Sequence, residues 1–274
     1  MINEPSVSVI TLAYNAGCYL EEAIESILVQ SFKDFEYIII DDGSTDNTYD
    51  IIERYSHLDS RIMVFQNAVN IGLFRSRNLG VSLSRGQFIA WQDADDISLP
   101  HRIEHQYEYL LHHPRVGMVG GFLEFFGEGF RSSIRKYAPD DLTLRRKLFR
   151  YSPVAEPAAM IRKRALEDAG KYNTEYPAGA DLDMSFRIGI NFEFANLQEV
   201  VLRYRQTPTS VTFTQLNKME KSTFKIRQVY SRHNSIYTVS LIDKIYNWIQ
   251  ILSSYFLPTR IRIATFNFFR NSRV

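Results

Sequence analysis

Apolar and polar positions along the first hundred residues follow two alternating patterns. Uncharged runs rich in β-branched residues, of which "VSVITLAY" is the first, are typical of buried strands. Between these runs, apolar residues recur at helical spacing with glutamates among them, as in "GCYLEEAIESILVQS". The alternation predicts four strands separated by helices, in "VSVITLAY", "FEYIIIDDGS", "RIMVFQN" and "GQFIAWQDADD".

Strand–helix alternation of this kind predicts an α/β fold with a mostly parallel central sheet and helices on both faces. Ligands of such sheets collect beyond the carboxyl ends of the strands. After Pro100 the pattern is less regular. It predicts helices in "RIEHQYEYLLHH", near "DLTLRRKLF" and from "DLDMSFRIGI", a strand leading into a helix that Gly170 ends, and strands in "VGMVGGFLEFF" and "EVVLRYR".

Charge divides the chain into two parts. The formal net charge of the 274 residues is +1, yet residues 218–274 carry ten Lys or Arg against only Glu220 and Asp243. Residues 1–217 carry 22 Lys or Arg against 29 Asp or Glu. We therefore predict an α/β domain over residues 1–217 and a basic extension over 218–274, which favours an anionic partner at one end.

Cysteine usage and hydropathy indicate the compartment. Cys18 is the only cysteine, so an internal disulfide is excluded and a reducing compartment fits. The N-terminal residues contain no basic stretch followed by an apolar one, and no run approaches the ~18 apolar residues of a membrane span. We expect a cytoplasmic protein.

Two acidic clusters follow predicted strands at the expected ligand edge. The first, Asp41-Asp42-Gly43-Ser44, is by itself more typical of ordinary turn chemistry. The second places Asp93, Asp95 and Asp96 directly after a strand, which is more charge than helix capping requires. A hard divalent cation, Mg²⁺ or Mn²⁺, explains this cluster, whereas no His/Cys grouping suggests zinc.

Two further groups of polar residues lie at predicted helix starts. Asp181 and Asp183 are typical of an N-cap and a first-turn acid, and equally of a general base. Another predicted helix begins with three polar residues, Arg75, Arg77 and Asn78. Their side chains either face solvent or bind phosphate groups. No G-x-G-x-x-G, Walker-type loop or G-x-S-x-G is present, which disfavours a Rossmann dinucleotide site and acyl-hydrolase chemistry.

Four ordered segments carry a resemblance to a known family. "VSVITLAYN", "SILVQSFKDFEYIIIDDGSTDNT", "NIGLFRSRNLGVSLSRGQFIAWQDADD" and "DLDMSFR" resemble the family-2 inverting glycosyltransferases with the GT-A fold, over residues 5–210. The resemblance implies a nucleotide-binding half in residues 1–100 and an acceptor half in 101–217. It also implies direct transfer of a sugar from a nucleotide-sugar donor to a hydroxyl.

The resemblance assigns donor-binding residues by position. Thr11, Ala13 and Tyr14 match the end of the first strand, where family members cradle the base. Asp42 matches the carboxylate that hydrogen-bonds the base ring, and Arg77 the basic residue of the family's A-R-N segment. Because Asp42 suits a pyrimidine N–H, a UDP-sugar is favoured, and a dTDP-sugar fits as well.

It also assigns residues to the chemistry. Asp93 matches the carboxylate near the ribose or metal, and Asp95 the one on the metal, which would be Mn²⁺ or Mg²⁺. Asp181 matches the catalytic base. Arg187 and Arg205 match arginines that contact the acceptor or the diphosphate.

The chain departs from the family pattern at two positions. Ala180 stands where members usually have the Glu of a Glu-Asp pair, so both Asp181 and Asp183 remain candidates for the base. Thr207 stands where many members have a His near the metal or diphosphate, so the third protein ligand of the metal is not assigned. The alternatives are a catalytically silent nucleotide-sugar or membrane-binding module and a sugar-phosphate nucleotidyltransferase. The nucleotidyltransferase alternative is disfavoured, because it requires a basic, glycine-rich loop after the first strand and "LAYNAGCYLEE" has no basic residue.

The basic extension contains an apolar helical stripe that ends at Pro258. Its members are Leu241, Ile245, Trp248, Ile249, Leu252, Tyr255 and Phe256. Beyond Pro258, arginines at 260, 262, 270 and 273 alternate with apolar residues. The stripe either packs on the body, mediates homodimerisation, or lies on an anionic membrane at the cytoplasmic face near a glycan or lipid-linked acceptor. The acidic body disfavours nucleic acid.

Overall fold

The structure is a computed structural model that describes residues 4–176, 178–207, 214–232, 237–259, 261–263 and 265. Its strands are β1 (Val7–Ala13), β2 (Phe35–Asp41), β3 (Ile62–Gln66), β4 (Phe88–Asp93), β5 (Ile97–Ser98), β6 (Val116–Phe126), β7 (Ser133–Arg135), β8 (Met160–Arg162) and β9 (Glu193–Arg205). Its helices are α1 (Leu20–Leu28), α2 (Thr48–Leu58), α3 (Leu73–Leu83), α4 (Arg102–His112), α5 (Asp141–Lys147), α6 (Lys163–Ala169), α7 (Ala180–Asn191), α8 (Leu216–Ser231) and α9 (Leu241–Phe256). A 3-10 helix covers Glu156–Ala158.

One sheet runs through the body in the order β3-β2-β1-β4-β8-β6-β9-β5, with β7 beside β6. The strands β3, β2, β1 and β4 are parallel, as are β6 and β9. The short strand β8 is antiparallel to both of its neighbours, β4 and β6. The predicted α/β fold with a mostly parallel sheet is confirmed, and β8 joins the two predicted halves into a single sheet.

The register of the parallel strands brings the acidic clusters to one edge. In β1, Ala13 pairs with Asp41 of β2, and Leu12 pairs with Asp93 of β4. The carboxyl ends of these three strands therefore lie side by side, where parallel α/β sheets bind ligands.

Both faces of the sheet are buried, which explains the near-continuous apolar strands. In β2, Tyr37 and Ile39 face one apolar cluster, whereas Ile38 and Ile40 face the other. Helix α1 packs on the first face through residues such as Ile24. Because a one-residue slip would exchange the two faces, this alternation fixes the register that positions the site.

The C-terminal extension begins as part of the body. Ile226 of α8 and Tyr237 are fully buried and share an apolar cluster with Leu148, Phe149, Leu182 and Phe186. The Tyr230 ring stacks on Phe186 with centroids 4.3 Å apart. The predicted boundary between residues 217 and 218 therefore does not separate two independent cores.

Helix α9 packs on the body through its polar side. Asp243 is 1% exposed and pairs with Arg150 at 2.7 Å, and Asn247 donates to the Phe149 carbonyl at 3.2 Å. The predicted apolar stripe faces outward instead, with Trp248 65% exposed. The extension therefore packs on the body, as one of the sequence-based alternatives states, but through the polar side of α9 and not through the apolar stripe. Within the described ranges, no helix is long and apolar enough to cross a membrane.

Candidate active site

Hydrogen bonds tie together the loops at the carboxyl edge. Asn15, just after β1, has a positive φ of 50° and accepts a hydrogen bond from the Thr45 amide at 2.9 Å. The Ser44 hydroxyl accepts from the Asn15 amide at 3.0 Å. Gly43 also has a positive φ, and a Cβ there would lie 2.6 Å from the Val69 carbonyl carbon, so only glycine fits. The loops after β1, β2 and β3 thus form one surface.

Asp42 is buried at the centre of this surface and holds the loop that leads into α3. Its Oδ1 accepts from Asn67 Nδ2 at 2.7 Å, the Ser76 hydroxyl at 2.9 Å and the Ile71 amide at 3.1 Å. Among the described residues, its Oδ2 accepts only from the Gly72 amide, at 3.0 Å. Since each carboxylate oxygen accepts about two hydrogen bonds, Oδ2 can take one further donor.

The residues predicted to cradle the base occupy different environments. Thr11 is fully buried, with its hydroxyl 2.9 Å from the Tyr37 hydroxyl, so a side-chain contact with a nucleotide would break this pair. Ala13 is also buried, at the end of β1. The Tyr14 side chain is 51% exposed and offers a ring for stacking.

Three carboxylates crowd the end of β4. Burial raises the pKa of Asp93, although Arg77 and Arg102 oppose the shift. Burial and the charge of Asp93 raise the pKa of Asp95 to about 6. Burial also raises the pKa of Asp96, whose buried Oδ2 has no hydrogen-bond partner among the described residues. The cluster holds more negative charge than its neighbours neutralise, which fits a cation site.

Arg102 of α4 lies behind this cluster and was not singled out from the sequence. Its guanidinium is buried and donates to neutral oxygens, the Trp91 carbonyl at 2.6 Å and the Ser98 hydroxyl at 2.8 Å. Burial lowers the pKa of Arg102 to about 10, against the charges of Asp96 and Asp93. The Arg102 guanidinium therefore stays positively charged at neutral pH. From within the core, it offsets the negative charges of Asp93 and Asp96.

Arg205 ends β9 beside the same turn. Its amide donates to Asp96 Oδ1 at 2.8 Å, and its Nε donates to the Asp95 carbonyl at 2.9 Å. The guanidinium lies over the Tyr19 ring at 4.3 Å and pairs with Glu22 at 3.0 Å. The predicted arginine thus lies at the carboxylate cluster, where it holds the turn.

Arg77 forms a buried unit with Glu156 and Tyr172. Its Nη1 lies 3.1 Å from Glu156 Oε1, which also accepts from the Tyr172 hydroxyl at 2.6 Å. Burial lowers the pKa of Arg77, but Glu156, Tyr172, Asp93 and Asp181 together raise it above its ordinary value. Arg77 is therefore a fixed positive charge close to both Asp93 and Asp181.

The raised pKa of Glu156 predicts that the free energy of unfolding depends measurably on pH. Burial raises its pKa from 4.5 to about 7, although Arg77 opposes the shift. Between these values the folded protein holds a proton that the unfolded chain releases, so Glu156 lowers the free energy of unfolding as pH rises. Glu156→Gln removes this titration. We expect its free energy of unfolding, relative to the native protein, to rise from pH 4.5 to about 7 in urea melts. A constant difference would contradict the assigned shift.

The two acidic residues at the start of α7 differ in their partners. Asp183 is buried and accepts from Arg187 at 2.8 and 3.0 Å and from the Tyr230 hydroxyl at 3.0 Å. Arg187 also donates to the Ala169 carbonyl, so contact with an acceptor or diphosphate would require it to leave these partners. The Asp181 carboxylate is half-buried and makes no hydrogen bond or ion pair within the described part of the chain. Within the described residues, the Asp181 side chain is therefore not held in place by a hydrogen bond or an ion pair.

Glu156, Tyr172 and Arg102 are the site residues that sequence reasoning missed. Glu156 carries a faint signal, because a lone carboxylate interrupts the apolar run "PVAEPAAMI". Arg102 shares the buried face of α4 with Ile103 and Leu110, so a charged residue within the apolar stripe could have indicated it. Tyr172 has no comparable signal.

Comparison with known proteins agrees with this geometry. The pattern of Glycosyl transferase family 2 matches residues 8–170. An uncharacterised glycosyltransferase of Haemophilus influenzae is 30% identical over 268 residues, which cover 93% of this chain and 82% of the relative. A Bacillus subtilis glycosyltransferase named for teichuronic acid biosynthesis, TuaG, is 35% identical over 140 residues, 51% of this chain and 56% of the relative.

Two solved structures share the fold. S. aureus TarS residues 1–349 in complex with UDP superimposes with a TM-score of 0.68 at 19% identity, over 93% of this chain and 73% of that TarS fragment. The mannosyltransferase PcManGT from Pyrobaculum calidifontis, in complex with GDP-Man and Mn²⁺, gives 0.71 at 17% identity, over 96% and 75% of the two chains.

The fold is the GT-A fold of these two enzymes. The chain belongs to Glycosyl transferase family 2 and is a glycosyltransferase, as its sequence segments predict.

Proposed function

We propose that this enzyme transfers a sugar from a nucleotide-sugar donor to a hydroxyl of a glycan or lipid-linked acceptor, with inversion at the anomeric carbon. The observation that carries the proposal is the environment of Asp181. This carboxylate has no partner in the described residues, yet it is close enough to Arg77 and Glu156 to shift their pKa values. A one-step displacement requires a base that can take the proton of the acceptor hydroxyl. Asp181 is this base, and it lies beside the donor-side residue Asp93.

The reaction is a single displacement. The acceptor oxygen attacks the anomeric carbon, the bond from that carbon to the phosphate oxygen breaks, and the nucleoside diphosphate leaves. Asp181 takes the hydroxyl proton as the new bond forms. Arg77 supplies a fixed positive charge near the carboxylates of Asp93 and Asp181. Because this charge is already in position, the protein does not have to rearrange during the reaction step.

Asp93 and Asp95 are the residues that would hold a divalent cation, Mn²⁺ or Mg²⁺. Their oxygen-only chemistry, their raised pKa values and the unpartnered Oδ2 of Asp96 fit such an ion. When bound, the ion would neutralise charge on the diphosphate. The Mn²⁺ in the PcManGT complex supports this assignment. Arg102 and Arg205 keep the carboxylates in place from the protein side.

A UDP-sugar is the favoured donor. The Asp42 Oδ2 atom can accept one more hydrogen bond, such as a pyrimidine N–H, and the exposed Tyr14 ring is available for stacking. Among the structural neighbours, TarS was solved with UDP and PcManGT with GDP-Man, so both nucleotide classes have precedent in this fold.

A panel of nucleotide sugars tests the function and identifies the donor. Release of nucleoside diphosphate is measured with UDP-, dTDP- and GDP-sugars in the presence of Mn²⁺ or Mg²⁺, and product configuration is read by NMR. Hydrolysis or transfer with a configuration opposite to the donor's supports the proposal. Retention would overturn the mechanism. Binding without turnover for every donor would favour a silent binding module, and pyrophosphate release from a nucleoside triphosphate would favour nucleotidyl transfer.

The acceptor is a growing surface polysaccharide or its lipid-linked precursor. TuaG, named for teichuronic acid biosynthesis, supports this class of acceptor. So does the outward stripe of α9, because a lipid-linked acceptor requires the enzyme to work at a membrane surface. Exposed lysines at 218, 221, 225 and 244 lie on α8 and α9 and would face anionic head groups. By contrast, Arg262 is buried against Glu220, and 260, 270 and 273 lie outside the described residues.

Ile249→Glu in α9 tests the membrane contact. Ile249 is 59% exposed, so the substitution should leave the fold intact while placing a charge on the apolar stripe. We expect native protein to sediment with phosphatidylglycerol vesicles and the variant to lose most of this binding, with unchanged turnover of a soluble acceptor. The matched control is Val29→Glu, which adds the same charge at a similarly exposed position, 62% accessible, away from α9 and from the candidate active site. Unchanged sedimentation of Ile249→Glu, with loss of a dimer in analytical ultracentrifugation, would assign the stripe to homodimerisation instead.

A further inference from the structure

A cluster of metal-ligating side chains lies on the exposed face of α4, outside the site described above. The ligand atoms of His101, Glu104 and His105 all lie within 4.8 Å of one another. Within the ranges that the structure describes, it is the one group of three or more His, Cys, Asp or Glu side chains that meets this distance. The cluster combines two histidines with a carboxylate and contains no cysteine.

Helical spacing brings these side chains together. Residues three and four positions apart lie on the same face of a helix, and two histidines at i and i+4 are a recurrent metal-binding pair. The His101 and His105 rings lie parallel, with centroids 5.5 Å apart and planes 14° from each other. Glu104 reaches the same point, since its Oε2 lies 3.4 Å from His101 Nδ1.

Neighbouring elements already orient two of the three side chains. His105 Nδ1 lies 2.7 Å from the carboxylate of Glu199, on β9, so its Nδ1–H is held and Nε2 is left as a ligand atom. The Ser31 hydroxyl donates to Glu104 Oε2 at 2.6 Å. In zinc sites, the second ring nitrogen of a histidine ligand usually donates a hydrogen bond to a carboxylate, which forms the outer shell of the site.

We propose that His101, Glu104 and His105 bind a transition-metal ion of the Zn²⁺ class, with water completing the coordination. Imidazole ligands select Zn²⁺, Co²⁺, Ni²⁺ or Cu²⁺ over Mg²⁺, whereas the oxygen-only pair Asp93 and Asp95 has the opposite preference. The two sites therefore take different metals. The ligands are well exposed, with the His101 side chain 64% and the His105 side chain 42% accessible, so the ion enters without opening the fold.

Metal titration of the tag-free full chain tests the site. Zn²⁺ and Co²⁺ are titrated calorimetrically in excess Mg²⁺, which occupies the oxygen site, and Co²⁺ is also followed by its visible absorption. We expect one equivalent of either ion to bind. His105→Ala should abolish binding, and Glu199→Gln should weaken it by about 10- to 100-fold through loss of the outer shell.

The matched control is His112→Ala. His112 is an exposed histidine of the same helix that bonds only the Glu108 carbonyl, so its loss should leave both titrations unchanged. Asp95→Asn should also leave them unchanged, because that residue belongs to the oxygen site. Binding that survives in His105→Ala, or that is lost equally in His112→Ala or Asp95→Asn, would overturn the proposal. Circular dichroism of each variant establishes that loss of binding is not loss of fold.

Discussion

Asp181→Asn is expected to reduce glycosyl transfer by at least the ~10²–10⁴-fold that a general base contributes, with donor affinity nearly unchanged. The substitution keeps the size and polarity of the side chain but removes its ability to take a proton. Because Asp181 has no hydrogen-bond or ion-pair partner within the described residues, its change to Asn should leave the fold intact. The measurement is kcat with saturating donor and acceptor, together with calorimetric titration of the nucleoside diphosphate.

Asp183→Asn is the matched control for this variant, two positions along the same helix. Asp183 holds Arg187 and Tyr230, so its substitution should lower the free energy of unfolding while sparing the larger part of kcat. The opposite pattern, activity retained in Asp181→Asn and lost in Asp183→Asn, would assign the base to Asp183.

Arg77→Met is expected to lower the free energy of unfolding by about 1–3 kcal/mol at pH 7, because Glu156 loses a buried hydrogen-bond partner and, with its pKa raised further, must take up a proton on folding. Both side chains are 6% exposed, so solvent does little to screen the pair. The same variant should lose turnover, since Arg77 is the positive charge nearest to both Asp93 and Asp181 in the proposed mechanism. Urea unfolding at pH 7 and steady-state kinetics measure the two effects.

A double variant separates the charge from the packing. Arg77→Met combined with Glu156→Gln removes both charges, and it should regain much of the lost stability but none of the activity. The exposed pair Arg54 and Glu21, with side chains 54% and 48% accessible, provides the control, and Arg54→Met should have no resolvable effect on unfolding. A double variant no more stable than Arg77→Met would show that the ion pair is not the source of the effect.

Local patterns predicted the parts of this protein in which one segment determines its own structure. The strands of the first half, the helices between them and the shared edge of Asp42 and Asp93 follow from periodicity and from the geometry of parallel sheets. Resemblance to the family placed Arg77 and Asp181 in the same region, and the pKa shift of Arg77 agrees with this proximity.

The parts that could not be predicted depend on distant partners. Arg77 meets Glu156 from 79 positions away, and Arg205 reaches the Asp95 carbonyl from 110 positions away, so no local window contains either pair. The stripe of α9 shows the same limit, because periodicity reveals an apolar face without saying what it meets. In this chain the polar face, through Asp243, is the one that docks.

Residues 127–155, between β6 and the 3-10 helix, form a segment in which the sequences of family members can differ. The hydrogen bonds described above for Asp42, Asp96 and the Asp95 turn come from residues elsewhere in the chain. Exposed positions here can change, lengthen or shorten without disturbing donor chemistry. We therefore expect natural variants and engineered chimaeras to exchange this segment and acquire new acceptors while keeping the same nucleotide sugar.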